Sequence, residues 1–169
     1  ASYLGSGLMD AQFDFNLYDA ALGFCANLNT DAPRLKEVLE SSLAAYGHHH
    51  LMGNISGNQD KPRFISLANG DVRLDEDTKA AGYTRKIGPP AAAAYKKLAF
   101  MHAFNFTVPG VPVVYYGDEY GMPGANDPDN RRPMKFKNYL PEEDKLRLEV
   151  SKLAKFRSKS PVLAYGSTT

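Results

Sequence analysis

The sequence predicts an α/β protein built from βα repeats, and three observations lead there. Short apolar, strand-like runs alternate with helical segments that carry an apolar stripe. The polar loops that look functional all follow strands. The run at 109–117 is apolar on both faces, as a buried parallel strand requires. The 169 residues suffice for one domain with its own core, covering 1–169, but fall short of the about 250 residues that a complete (β/α)8 barrel takes.

The elements follow in order. Residues 12–17 (QFDFNL) alternate polar and apolar side chains, the period-2 pattern of a first strand. Asp31 and Pro33 supply a capping acid and a first-turn proline, and Leu35, Val38, Leu39 and Leu43 then recur at helical spacing, so a helix is expected over 33–46 with Gly47 as its stop. Residues 50–55 (HLMGNI) form a short apolar run that delivers a polar loop at 56–60. The stretch 69–90, with Asn69-Gly70 at its start, charges through its middle and Gly88-Pro89-Pro90 at its end, reads as a long surface excursion. An alanine-rich helix is expected over 91–106, with Tyr95, Leu98, Met101 and His102 on neighbouring turns. A strand at 109–117 and a polar loop at 121–132 come next. Pro141-Glu142-Glu143 then opens a last helix, striped by Leu146, Val150, Leu153 and Ala154 and closed at Ser160-Pro161.

Charge excludes little beyond strong electrostatic partners. Twenty basic side chains face nineteen acidic ones, so nothing in the balance points to nucleic acid or a membrane surface. Cys25 is the sole cysteine, which rules out an intrachain disulfide and a multi-cysteine metal site. No apolar run reaches the about 18–20 residues of a membrane span, so the chain is expected to be soluble; its compartment stays open. Both ends read as cuts.

Two clusters could carry chemistry. In Gly57-Asn58-Gln59-Asp60-Lys61-Pro62-Arg63 a carboxylate is flanked by two amides and followed by basic groups. Each amide offers donor and acceptor to a sugar hydroxyl, and the carboxylate can accept two hydroxyl protons, although an ordinary polar turn has the same composition. In Asn126-Asp127-Pro128-Asp129-Asn130-Arg131-Arg132 an acid and a guanidinium could grip a polyol, but this too is a common turn sequence. Asp118-Glu119 is expected to be structural, because neighbours in an extended chain point to opposite faces. His48-His49-His50 cannot converge on one ion from a strand, and no phosphate-binding glycine spacing is present. Tyr115, Tyr116, Phe104 and Phe106 read mainly as core aromatics.

Taken together, MGNISGNQDKPRF (52–64) and PGVPVVYYGDEYGMPGANDPDNRRPM (109–134) closely resemble the last two strand-and-loop signatures of the α-amylase family of glycoside hydrolases. The Asp-Pro-Asp-Asn-Arg-Arg loop is most similar to the neopullulanase and cyclomaltodextrinase branch, and FDFNLYDA (13–20) is compatible with the sixth barrel strand. The resemblance implies a partial (β/α)8 TIM barrel, strands six to eight with their helices, the C-terminal portion of a catalytic domain. It implies a retaining glycosidase acting on α-1,4 bonds of starch-derived glucans and maltodextrins, with α-1,6 bonds an open alternative, and an α-glucan oligosaccharide as the ligand.

By resemblance, Asp60 is the third essential carboxylate, the stabiliser of the distorted transition state. Gln59 stands where the family has a histidine; it can donate a hydrogen bond but cannot become cationic, so the pH profile should differ. Asp127 and Arg131 resemble the pair that holds the next sugar on the non-reducing side, and Gln59, Asn58 and Arg63 are expected among the substrate-binding residues, the last two also orienting Asp60. A retaining enzyme needs a nucleophile and a general acid about 5–5.5 Å apart. In the family these lie in Gly-x-Arg-x-Asp and Gly-Glu motifs, neither of which occurs in these residues, so the isolated chain is expected to be inactive. The alternative is a non-catalytic amylase-like module that binds carbohydrate or serves as a scaffold. No cofactor is expected, and calcium, known in several branches, cannot be assigned to any residue here. Open sheet edges are expected to bind the remainder of the barrel or a second copy.

Overall fold

The computed structural model describes residues 8–46 and 51–165. Its centre is a three-stranded parallel sheet in the order β1 (Ala11–Phe13), β2 (Leu51–Ile55), β3 (Val111–Val113). Phe13 is in register with Gly53, and Gly53 in turn with Val111, so the three carboxyl ends open on one side. Helices join and cover the strands: α1 (Phe15–Cys25), α2 (Ala32–Tyr46), α3 (Phe64–Asn69), α4 (Thr78–Thr84), α5 (Ala92–Thr107), α6 (Pro141–Lys159) and α7 (Pro161–Tyr165).

The first strand is shorter than its alternation predicts. It ends at Phe13 because Asp14, one of the polar positions in that pattern, caps a helix: its Oδ1 accepts the Leu17 N–H at 3.0 Å, and α1 then buries Leu17, Tyr18, Ala21, Leu22 and Cys25. Cys25 is inert there, its thiol pushed up to about 12 by burial. Helix α2 matches its expectation within a residue, with Asp31 accepting the Arg34 N–H at 2.9 Å. Gly70, at φ +81°, closes α3 in the left-handed conformation that favours glycine. The excursion that follows contains a helix, α4, capped by Asp77, whose Oδ1 accepts the N–H groups of Lys79 and Ala80 at 3.0 Å.

Helix α5 is the spine of the core. Leu98, Met101 and His102 have no exposed surface, and the Lys97 ammonium satisfies the carbonyls of Ala26 and Ala68 at the ends of α1 and α3. The third strand also departs from its expectation. It spans three residues, and Val111 is 43% exposed. The reason is position: β3 is an edge of the sheet, and Pro112 cannot donate to a ladder. Arg157 of α6 ties this edge down by donating to the carbonyls of Phe106, Val108 and Gly110. At the other edge Phe13 and Phe15 stand half-exposed with their rings perpendicular, 6.3 Å apart. The final helix α6 begins at Pro141, and the Glu143 carboxylate turns back to accept the Leu140 N–H at 2.6 Å.

Candidate active site

The loop after β2 leaves the sheet buried and surfaces at Asn58. The Asn58 Oδ1 accepts the Asp60 N–H at 2.9 Å, a local turn that lifts Asp60 away from the sheet. The Asp60 carboxylate is 68% exposed and accepts a hydrogen bond from Gln59 Nε2 at 3.0 Å. The neighbouring loop fixes this tip from below: buried Asn130 donates through Nδ2 to the carbonyls of both Gln59 and Lys61 at 2.8 Å.

Arg131 joins the two loops. Its guanidinium lies 3.1 Å from Asp127 and 3.6 Å from Asp60, and its Nε donates to the Gln59 carbonyl at 3.2 Å. The structure thus brings Asp60, Gln59, Asn58, Asp127 and Arg131 together at the carboxyl ends of β2 and β3. Lys79 of α4 adds a second cation, 3.7 Å from Asp127. All of these groups meet solvent, so their pairs are screened and the side chains can be re-paired by a ligand.

Arg63 does not join them, which corrects the expectation that it orients Asp60 or touches sugar. It is 1% exposed and pairs at 2.9 Å with Asp118, itself 2% exposed. It also donates to the carbonyls of Tyr116 at 2.6 Å and Asn130 at 2.8 Å, and its guanidinium lies over the rings of Tyr115 and Tyr116, 4.2 and 4.9 Å from their centroids. Asp118 accepts a further bond from Ser56 Oγ at 2.6 Å. Arg63 follows Asp60 by three residues, but Pro62 and Phe64 are buried beside it and the chain dives inward at that point. Asp118 and Glu119 are engaged within the protein, though in a turn after β3 and not in the extended chain expected: Asp118 holds Arg63 and Glu119 accepts the Gly117 N–H at 2.7 Å.

Two residues that the sequence did not single out complete this foundation. Asn130 carries the loop carbonyls described above. His102, fully buried, places Nε2 3.0 Å from the Asp118 carbonyl, which can only accept, so Nε2 carries the proton. Burial pushes its pKa below the usual histidine value, and the Asp118 carbonyl and charge oppose that only in part. The His102 signal was its place on the apolar stripe of α5; Asn130 gave none beyond its turn composition. His48, His49 and His50 lie outside the described residues. Among the described residues no group of three His, Cys, Asp or Glu side chains is placed to hold a metal ion, and no helix is long and apolar enough to cross a membrane.

A family model of the alpha-amylase catalytic domain matches residues 1–163. The chain belongs to the alpha-amylase family. Within the family, a cyclomaltodextrinase of Thermoanaerobacter pseudethanolicus is 30% identical over 98% of this chain and 25% of its own length. A cyclomaltodextrin glucanotransferase of Bacillus licheniformis is 38% identical over 98% of this chain and 21% of its own length. The crystal structure of the alpha-amylase from Geobacillus thermoleovorans in complex with acarbose superposes with a TM-score of 0.71 at 28% identity, covering 94% of this chain and 31% of that one. The chain therefore spans about a fifth to a third of the length of these family members. The small parallel sheet with its helices is an α/β arrangement matching the amylase barrel enzymes, and the relatives are glycoside hydrolases and transferases named for cyclic maltodextrins.

Proposed function

We propose that the chain supplies strands six to eight of an amylase-type (β/α)8 barrel, as the C-terminal portion of its catalytic domain over 1–169. Its parent protein hydrolyses α-1,4 glucosidic bonds of maltodextrins with retention. The observation that carries this is the Asp60–Arg131–Asp127 constellation, assembled from two successive strand-end loops where barrel enzymes keep their sites. Asp60 takes the developing oxocarbenium ion and the ring hydroxyls, with Gln59 donating beside it and Asn58 holding the turn. Asp127 and Arg131 grip the adjoining sugar. This reading puts the nucleophile and general acid in residues outside this sequence, since the Gly-x-Arg-x-Asp and Gly-Glu motifs that carry them in the family do not occur in it.

The test is hydrolysis of maltoheptaose and pullulan by the parent, its Asp60→Asn variant and the isolated chain. Loss of a preorganised group at the developing charge should lower kcat about 10²–10³-fold, and the isolated chain should be inert. Cleavage of pullulan would place α-1,6 bonds, or the α-1,4 bonds beside them, within reach. Gln59 in the place of the family's histidine favours one second reading, a module that binds glucan without cutting it; an inert parent that still retains maltoheptaose would establish it. The half-exposed edges at Phe13 and Val111 are surfaces for the remainder of the barrel or, in its absence, a second copy. Light scattering of the isolated chain should show association, and a monomer at high concentration would remove that part of the proposal.

A further inference from the structure

The excursion between α3 and α5 buries Val72, Ala81 and Ile87 in the core, and it is fastened to the loop that carries Asp127. The Asn126 N–H donates to the Thr78 carbonyl at 3.1 Å. Gly82 lies so close that an added Cβ would meet the Asp129 Cβ at 2.8 Å and the Ala125 Cβ at 3.3 Å. Arg132 spans the gap, bonded to Asp129 at 2.8 and 2.9 Å and to the Ile87 carbonyl at 3.2 and 3.3 Å. On the far side Arg85 holds the excursion to itself through Glu76 and the Asp71 carbonyl.

Thr78 and Gly82 stand four residues apart and so mark the face of α4 that lies on this loop. The adjoining stripe, also four apart, is Lys79 and Tyr83. Lys79 reaches to 3.7 Å from Asp127, too long for a hydrogen bond, and an ammonium carries three donors. Tyr83 is 71% exposed. Lys79 thereby stands beside Asp127, and Tyr83 lies one turn further along the same stripe of α4. A glucose ring offers the complementary pair, hydroxyls at its rim and an apolar C–H face.

We propose that Lys79 and Tyr83 form an outer sugar subsite, in which Tyr83 stacks on a glucose ring and Lys79 donates to hydroxyls between that ring and the sugar held by Asp127 and Arg131. This rests on the glucan reading above and adds to it a residue pair that measures chain length. Short glucans end before α4; longer ones reach it.

The experiment compares kcat/KM on maltotriose and maltoheptaose for the parent protein and its Lys79→Ala, Tyr83→Ala and Lys79→Arg variants. Each alanine variant should lose about tenfold on maltoheptaose, the size of one charged hydrogen bond or one ring contact, while maltotriose changes by no more than about twofold. Lys79→Arg should keep most of the maltoheptaose rate. Equal losses on both substrates would show α4 to be scaffold only, and no loss on maltoheptaose would show that the chain passes elsewhere; either outcome overturns the subsite. If the unaltered parent does not cleave glucan, the same ratios are read from its affinities for the two oligosaccharides by calorimetry. A parent that neither cleaves nor binds them removes the glucan reading and the subsite together, an outcome distinct from a parent that works but ignores Lys79 and Tyr83.

Discussion

Arg63 and Arg131 each pair with aspartate at the carboxyl end of the sheet, and they do opposite work. Arg63 and Asp118 are 1% and 2% exposed, and every bond of the pair joins one strand-end loop to the next through the interior. Arg131, Asp127 and Asp60 are 45%, 37% and 68% exposed. Water decides the difference. A buried pair cannot exchange partners without leaving a charge stranded in a medium that solvates it poorly, so it holds geometry. An exposed pair costs little to open, so it can hand its hydrogen bonds to a ligand. The site is a replaceable upper tier standing on a fixed lower one.

The largest effect should therefore come from the lower tier. Arg63→Met leaves Asp118 buried with only Ser56 as a side-chain partner, and breaking such a pair costs about 3–5 kcal/mol of folding free energy. Adding Asp118→Leu should recover part of that loss, because no uncompensated charge then remains. Urea unfolding of the two variants reads both numbers. A loss below about 1 kcal/mol in Arg63→Met would break the comparison, since the pair would then be no more than surface-like.

The two tiers were unequally legible. Asp60, Asp127 and Arg131 are polar residues in turns that follow strands, a pattern visible along the chain. Arg63 has the same local neighbourhood as Asp60, and only contacts with Asp118 and Tyr116, more than fifty residues away, separate their roles. Similar competition explains the elements. The alternation at 12–17 contained both a strand and a helix cap, and Asp14 decided for the cap once α1 had an apolar face to bury. Helix α4 was hidden in a charged stretch because it is only about two turns long, held by the Asp77 cap and by the Asp127 loop, with Ala81 alone buried. Strand β3 reads as buried because its residues are those of an interior strand, whereas exposure depends on what stands beside the sheet edge.

A smaller effect sharpens the same contrast through pH. His102 lies beneath the buried pair, and its folded-state pKa is lowered below 6.5 by desolvation. The unfolded imidazole thus takes up a proton first as pH falls. Its contribution to stability is complete above the unfolded value and declines below about pH 6.5, by at most about 1.4 kcal/mol per pH unit, until the folded pKa is passed. Between pH 6.5 and 5, where carboxylates still contribute little, the urea midpoint should fall, and His102→Gln should flatten that slope. A slope unchanged in the variant would place the titrating group elsewhere.

The smallest effect belongs to the upper tier, and it is the most discriminating. Asp60→Asn keeps the backbone N–H that Asn58 accepts from and an oxygen for Gln59, and it removes one side of an ion pair that is largely exposed. Folding stability should stay within about 0.5 kcal/mol of the parent's, the range of surface substitutions. Under the proposed function the same substitution removes most of the parent's glucan hydrolysis, so stability and activity would move independently at Asp60. At Arg63 they should fall together, because the loops that carry Asp60 and Asp127 lose their common anchor. If Asp60→Asn instead destabilised the fold by more than about 1 kcal/mol, Asp60 would be part of the foundation, and the division into two tiers would have to be redrawn with the turn at Asn58 inside it.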